Sequence, residues 1–307
     1  MKFLIGKFDN LYEKHSFYYF WGFIICCFYA VYELPRLENI LSVCFLLILT
    51  IGVSHGALDH EKGRKLLNIY KVENIFYFYF IYLIIAVSIA LLWYKFPTFI
   101  LILFLLTASY HFGKEDSIYS KTNNPILFTL KGSIIIFTPI FLNYEETLNI
   151  FKLLNVNNLD FLSVLKIFEN NFQLFLIFVL FYFLLNFLIF KLYLQFFAFM
   201  DLLIIVVLNL LFSTIFAFTF YFCFIHSIRH IISIMIEEKI KLYTFAKKAI
   251  PLTLLTSIIF VTSGWIITLN NITLDVAIIQ VIFIGLASLT FPHILLEYLL
   301  ENNEKGT

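Results

Sequence analysis

The run YLQFFAFMDLLIIVVLNLLFSTIFAFTFYFCFIHSIRHIISIMI, Tyr193 to Ile236, decides how this chain is threaded. It is apolar almost throughout and holds neither proline nor glycine. A membrane-spanning helix needs about 20 apolar residues, with a range of about 17–25. The run is therefore one overlong helix or two short ones turning near Asn209, Ser213 and Thr214. One helix gives nine spans in all; two give ten.

Outside this run eight segments read as spans: Phe17–Tyr32, Ile40–Leu58, Ile75–Tyr94, Thr98–Phe112, Pro125–Leu142, Phe172–Phe190, Ile250–Leu269 and Val276–Leu296. The chain has 307 residues, 62% of them hydrophobic and 13% charged. Soluble domains have about 45–50% apolar and 25% charged residues. The expected fold class is thus an all-α polytopic membrane protein, a helical bundle of about ten transmembrane helices with nine as the alternative. The start, Lys2, Lys7 and Lys14 before Phe17–Tyr32, has the outline of a signal peptide. No small-residue cleavage site precedes Glu33-Leu34-Pro35-Arg36, so it reads as a retained first span. The organisation expected is a first span and loop over 1–39, a membrane domain over 40–300 and a polar tail over 301–307.

Cation bias separates the two counts. With ten spans, sixteen of the twenty-one Lys and Arg fall on one side. Arg36, Lys95, Lys152 and Lys166 fall on the other, and Lys131 lies inside a span. With nine, the split becomes even. Cytoplasmic loops carry the excess of Lys and Arg, which favours ten spans with both termini cytoplasmic. The net charge of +1 and the lack of any basic block argue against nucleic acid. Cys26, Cys27, Cys44 and Cys223 form no Cys-x-x-Cys pair and read as small apolar side chains in helices. The segment between Asn143 and Asn171 mixes apolar and polar residues. It reads as an amphipathic surface helix, a lid, or a plain loop.

Six of the seven histidines lie in or at the ends of apolar segments. Ionisable side chains at membrane depth are costly and mark functional cavities. His226 and His230, four apart, share one face of a helix and can share one metal. A zinc-protease reading fails because Ser227 stands where the general base belongs. His55 lies between Gly52 and Gly56, with Asp59 one turn on as a hydrogen-bond partner for an imidazole. His111 repeats that grammar with Gly113 and Asp116. His293 follows Pro292 and is a cavity-lining candidate. His60 is a surface residue or a partner to the ligands, and His15, between Lys14 and Ser16, reads as solvated. In the ten-span threading His55, His111, His226/His230 and His293 all lie near the cytoplasmic ends of even-numbered helices. They can reach one depth. Imidazole donors suit iron, copper or zinc.

With these residues in view, the chain resembles the Brp/Blh family of membrane β-carotene dioxygenases. The resemblance rests on His55-Gly56-Ala57-Leu58-Asp59-His60, Ser109-Tyr110-His111-Phe112-Gly113 with Asp116, His226-Ser227-Ile228-Arg229-His230, and Pro292-His293. It covers roughly Gly52 to Leu296. Val53-Ser54 departs from the proline expected close before His55. The resemblance implies a bacterial or archaeal cell (inner) membrane enzyme. It would use Fe(2+), held by His55, His111, His226 and His230, to cleave the central double bond of β-carotene with O2. Two all-trans-retinal would result, destined for an opsin-type retinal protein. Asp59, Asp116 and His60 are our own candidates for partners of the ligands, from spacing. The 20% aromatic content suits a greasy tunnel, although packing explains most of those rings.

Three other readings compete. A membrane di-iron desaturase needs about eight clustered histidines, and only one His-x-x-x-His box is present. A metal-ion or proton transporter uses intramembrane histidines as relays, but would carry a repeat, and none is visible. A dioxygenase for a different apolar polyene fits the same residues.

Overall fold

The run Tyr193–Ile236 turns at Phe212-Ser213 and forms two helices. Ser213 is extended (φ −61°, ψ 153°), and its hydroxyl accepts from the Phe216 N–H at 3.4 Å. The Glu146 carboxylate accepts from the Thr214 N–H at 3.1 Å through both oxygens. Serine is a favoured N-cap, and an anion at a helix N-terminus is stabilised by the helix dipole. The break therefore has a local cause in Ser213 and a tertiary cause in Glu146.

The computed structural model describes residues 2–31, 40–118, 125–190 and 193–305. It is all-helical, with no strand among the described residues. We number the helices α1 (Lys2–Val31), α2 (Ile40–Ile69), α3 (Phe76–Lys95), α4 (Pro97–Ile118), α5 (Pro125–Leu142) and α6 (Tyr144–Leu153). There follow α7 (Leu159–Phe190), α8 (Tyr193–Leu211), α9 (Thr214–Glu237), α10 (Leu242–Thr268) and α11 (Leu274–Lys305). Eight of them, α2–α5, α7 and α9–α11, are long and apolar enough to cross a membrane; α8 is a shorter apolar helix. The protein is a polytopic helical membrane protein. The Glu33–Arg36 loop and the cations Arg36, Lys121 and Lys191 lie outside the described residues. All four cysteines are free, with Cys44 and Cys223 buried.

The segment after Asn143 is not a simple loop. α6 buries Tyr144, Thr147, Ile150 and Phe151 on one face, and Glu146 caps α9. The Trp93 indole donates to the Leu154 carbonyl (3.3 Å), and the Gln280 amide donates to that of Leu153 (2.8 Å). α6 thus plugs the end of the bundle, and α7 already begins at Leu159, well before Phe172.

α4 and α5 are in close backbone contact. A Cβ on Gly113 would lie 1.9 Å from the Phe128 carbonyl oxygen, and one on Gly132 1.8 Å from that of Ser109. Small residues allow such approaches between membrane helices. α1 packs on α8 and α9, and its Tyr19 and Phe23 join the main apolar core.

Two of the sixteen cations on the richer side, Arg229 and Lys62, are engaged inside the protein. Arg229 is fully buried and donates to both Asp201 oxygens, at 2.7 and 2.8 Å. Its second amino group also reaches Ser16 (3.3 Å), and its guanidinium lies 4.8 Å from the Tyr12 ring centre. Lys131 stands beside it, donating to the Asp116 carbonyl at 2.9 Å with Asp201 at 3.7 Å. Buried charges persist only when paired, and this group ties α1, α4, α5, α8 and α9 together. Lys62 is the second of the two and points into the histidine cluster.

Candidate metal centre

α2, α4, α9 and α11 each bring histidine to one place. α2 and α9 do so through irregular turns. In α2 a π-helical turn (Ile48–Gly52) passes into a 3₁₀ turn (Val53–Leu58) carrying His55. In α9 a π-helical turn (Tyr221–Ser227) carries His226. π-turns are rare and concentrate at functional sites. The two turns pack on each other, and a Cβ on Gly52 would meet the Phe222 ring at 2.6 Å.

The rings of His55, His111, His226, His230 and His293 form a cage. His55 lies 5.3, 5.5 and 5.5 Å, centre to centre, from His226, His230 and His293. His111 lies 5.3 Å from His226 and 5.4 Å from His293, and His230 lies 5.4 Å from His293. An imidazole bound at about 2.1 Å has its ring centre about 3.2 Å from the ion; two at a tetrahedral angle are about 5.2 Å apart. His226 and His230 are wider apart, at 6.3 Å, and among the described residues the donor atoms that lie within 4.8 Å of one another are those of His111, His293 and Glu297 and of Glu115, His230 and Glu297.

Partners on the far side orient the rings. His293 Nδ1 lies 2.9 Å from both Asp59 oxygens, and His230 Nδ1 lies 3.1 Å from Glu115 Oε2. His55 Nδ1 meets the Gly52 carbonyl, with Ser227 Oγ at 3.3 Å. An Nδ1–H donated outward leaves the Nε2 lone pair facing the cage, as in metal-bound histidines. Asp59 also accepts from the Tyr82 hydroxyl (3.0 Å). Asp116 accepts from the Tyr221 hydroxyl (2.8 Å) and lies 3.8 Å from His226 Nδ1. His293 Nε2 and both ring nitrogens of His226 are buried with no hydrogen-bond partner among the described residues. Buried polar atoms are nearly always satisfied, so unsatisfied nitrogens converging here fit an ion.

His55, His111, His226 and His293 form one wall of a cavity of about 560 Å³ lined by α2, α3, α4, α9, α10 and α11. Its lining on α11 runs from Gln280 to His293, about 20 Å at 1.5 Å per residue. α3 packs on α11, while α10 packs on α11 and on the 3₁₀ turn of α2; the cavity lies between α3 and α10. Leu83 and Val87 of α3, and Leu255 and Ile259 of α10, line it and are 61, 49, 54 and 51% exposed. We read these four side chains as the lips of the cavity between α3 and α10.

The Beta-carotene 15,15'-dioxygenase family model matches residues 46–301. The chain belongs to this family. A Beta-carotene 15,15'-dioxygenase from an uncultured marine bacterium, 66A03, is 30% identical over 263 residues, covering 81% of this chain and 90% of that protein. No solved structure matches. The family is one of carotenoid-cleaving dioxygenases, and its match takes in all five caged histidines.

Against the residues this dioxygenase-family chain offered in sequence, His55, His111, His226 and His230 are brought together. His293 stands among them rather than only lining the cavity. Asp59 pairs with His293 on α11, not with His55 on its own helix. His60 does not join the cage: its Nδ1 donates to the Ala57 carbonyl (3.0 Å), and its Nε2 lies 3.7 Å from Glu61. His15 is not solvated; its Nε2 donates to the Phe224 carbonyl (2.8 Å), and its Nδ1 is buried. The packing of α1 on α9 overrides its polar neighbours Lys14 and Ser16. Sequence reasoning missed Glu297, whose carboxylate reaches into the cage from one turn beyond His293. The signal was available as a carboxylate at i+4 from a histidine inside the last apolar segment.

Proposed function

We propose that this chain cleaves β-carotene at its central double bond with O2, giving two all-trans-retinal molecules, at an Fe(2+) held by His55, His111, His226 and His230. The observation that carries the reading is a cage of imidazoles of which His55, His111, His226 and His293 line a largely apolar cavity. Family membership sets transport aside. One carbon–carbon double bond breaks, and the two oxygen atoms end as the two aldehyde carbonyls, so no external reductant is needed. Iron(II), when bound, supplies the redox chemistry that lets dioxygen react with a polyene.

The protein's own task is positioning and exclusion of water. Asp59, Glu115 and the Gly52 carbonyl hold imidazoles in the tautomer that leaves a lone pair inward, and Asp116 faces His226. Phe112 and Phe222 pack against His226, at 4.5 and 6.0 Å between ring centres, and keep that wall dry. The walls of α3, α10 and α11 hold the polyene along its length. Substrate enters and product leaves between α3 and α10, because both partition into lipid. Retinal then passes through the bilayer to an opsin-type protein. Both termini face the cytoplasm of a bacterial or archaeal cell in this reading, and a reporter fused at Lys247 reads cytoplasmic; an external signal rejects that topology.

The test is chromatography of extracts from bacteria that accumulate β-carotene, with and without this chain. Retinal rising as carotene falls, and neither change with His111→Ala, is the expected result. Unchanged carotene with the protein present in the membrane overturns central cleavage of β-carotene and directs the search to other apolar polyenes.

A further inference from the structure

Glu297 stands on α11 one turn after His293, inside the histidine cage. Its Oε2 lies 3.5 Å from His111 Nδ1, and its Oε1 lies 3.7 Å from both His230 Nε2 and His293 Nε2. These separations are at or beyond the limit for hydrogen bonds. Two donors on one ion at about 2.1 Å are about 3.4–3.6 Å apart at angles between tetrahedral and trigonal. One carboxylate thus keeps ligand-to-ligand spacing from three imidazoles on three helices. Two groupings of donors fall within 4.8 Å of one another: His111, His293 and Glu297, and Glu115, His230 and Glu297. Glu297 is the member they share.

Lys62 completes the observation. Its Nζ lies 2.6 Å from Glu297 Oε1 and 3.4 Å from His230 Nε2. Glu115 already takes the Nδ1 proton of His230, so the ammonium faces the one lone pair that ring has left for a metal. A cation among these donors competes for the same atoms. Lys62 also sits at i+7 from His55 and so faces the cage from the same side of α2.

We propose that Glu297 is a metal ligand of this centre and that the Lys62 ammonium is a placeholder that competes with the metal ion for the same carboxylate. Metal uptake displaces the ammonium, and the ion takes over the neutralisation of the carboxylate. The inference rests on the metal reading above and changes its chemistry. A carboxylate among imidazoles hardens the donor set, favouring iron(II) or manganese(II) over copper(I).

The test is titration of the purified full chain in detergent with cobalt(II) and with iron(II), without carotene. Bound metal is counted by elemental analysis, and the cobalt spectrum reports the ligand set. Glu297→Gln is expected to weaken binding by about tenfold or more and to change the cobalt spectrum. Lys62→Met is expected to bind at least as tightly as wild type, with the wild-type spectrum. The double variant decides between a ligand and a plain ion pair. If Glu297 is a ligand, Glu297→Gln/Lys62→Met stays as weak as Glu297→Gln. If Glu297 only neutralises Lys62, the double variant regains wild-type binding and spectrum, which overturns the proposal. Weaker binding by Lys62→Met overturns its placeholder role. Metal bound as expected but carotene untouched leaves this assignment standing and sinks the cleavage reading alone.

Discussion

His293 and Asp59 are held together across two helices, with His293 Nδ1 2.9 Å from each carboxylate oxygen and the Tyr82 hydroxyl bonded to the same carboxylate. The pair is buried, and it fixes which nitrogen of His293 faces the cage. Asp59→Asn keeps the volume but removes the charge that holds the proton on Nδ1. It is expected to lower metal affinity or retinal formation by about tenfold, because the His293 ring, packed against His55, His111 and His230, loses the partner that orients it. Metal content and initial rate, measured on the same preparation, check this. Tyr82→Phe removes only one donor and is expected to cost less.

Gly132→Ala is expected to disturb the centre from a distance. The new methyl would fall 1.8 Å from the Ser109 carbonyl oxygen, so α4 must move away from α5. α4 carries His111, Glu115 and Asp116. Overpacking alone costs about 1–3 kcal/mol, and a backbone clash costs at least that. Thermal unfolding in detergent is expected to fall, with metal content falling alongside. A stable variant with full metal content would contradict the close contact.

Substitutions at the lips separate entry from chemistry. Leu255→Trp or Val87→Trp narrows the opening between α3 and α10 without touching any caged residue. Retinal formation from membrane-dissolved carotene is expected to slow, while metal content stays at the wild-type level. Equal loss of both would mean that these side chains support the fold rather than the passage.

The buried ion group predicts an asymmetry. Asp201→Asn removes the carboxylate that faces both Arg229 and Lys131, whereas Arg229→Met leaves Asp201 with Lys131 at 3.7 Å. Breaking a buried pair costs about 3–5 kcal/mol. Asp201→Asn is expected to lie at the upper end of that range and Arg229→Met below it, with the double variant recovering part of the loss. Denaturant unfolding of the detergent-solubilised protein gives the order.

The fold was legible where the signal was a single property of the chain. Apolar length gave the spans, and cation bias pointed to the turn near Ser213 before any geometry was known. The four histidines proposed as ligands were legible because each interrupts an apolar stretch beside glycine or another histidine. Glu297 carried a weak signal, its i+4 spacing from His293, whereas Lys62 sits among ordinary charges at a helix end and only convergence of α2 with α11 gives it meaning. Arg229 read as one of the cations of the richer side because its partner, Asp201, lies in a different helix. His15 read as solvated for the same reason, since the carbonyl it serves belongs to α9. The π-turns have no local signature at all.

Those turns carry a further consequence for how this chain tolerates change. A π-turn holds one more residue than an α-turn, and each residue rotates a helix by about 100°. His226 and His230 face inward only because that extra residue sits between Tyr221 and Ser227. Deleting any one apolar residue there would leave length, composition and hydropathy almost untouched, yet swing both rings out of the cage. For this helix the reading frame of the turn, more than the identity of its side chains, is what inheritance must preserve.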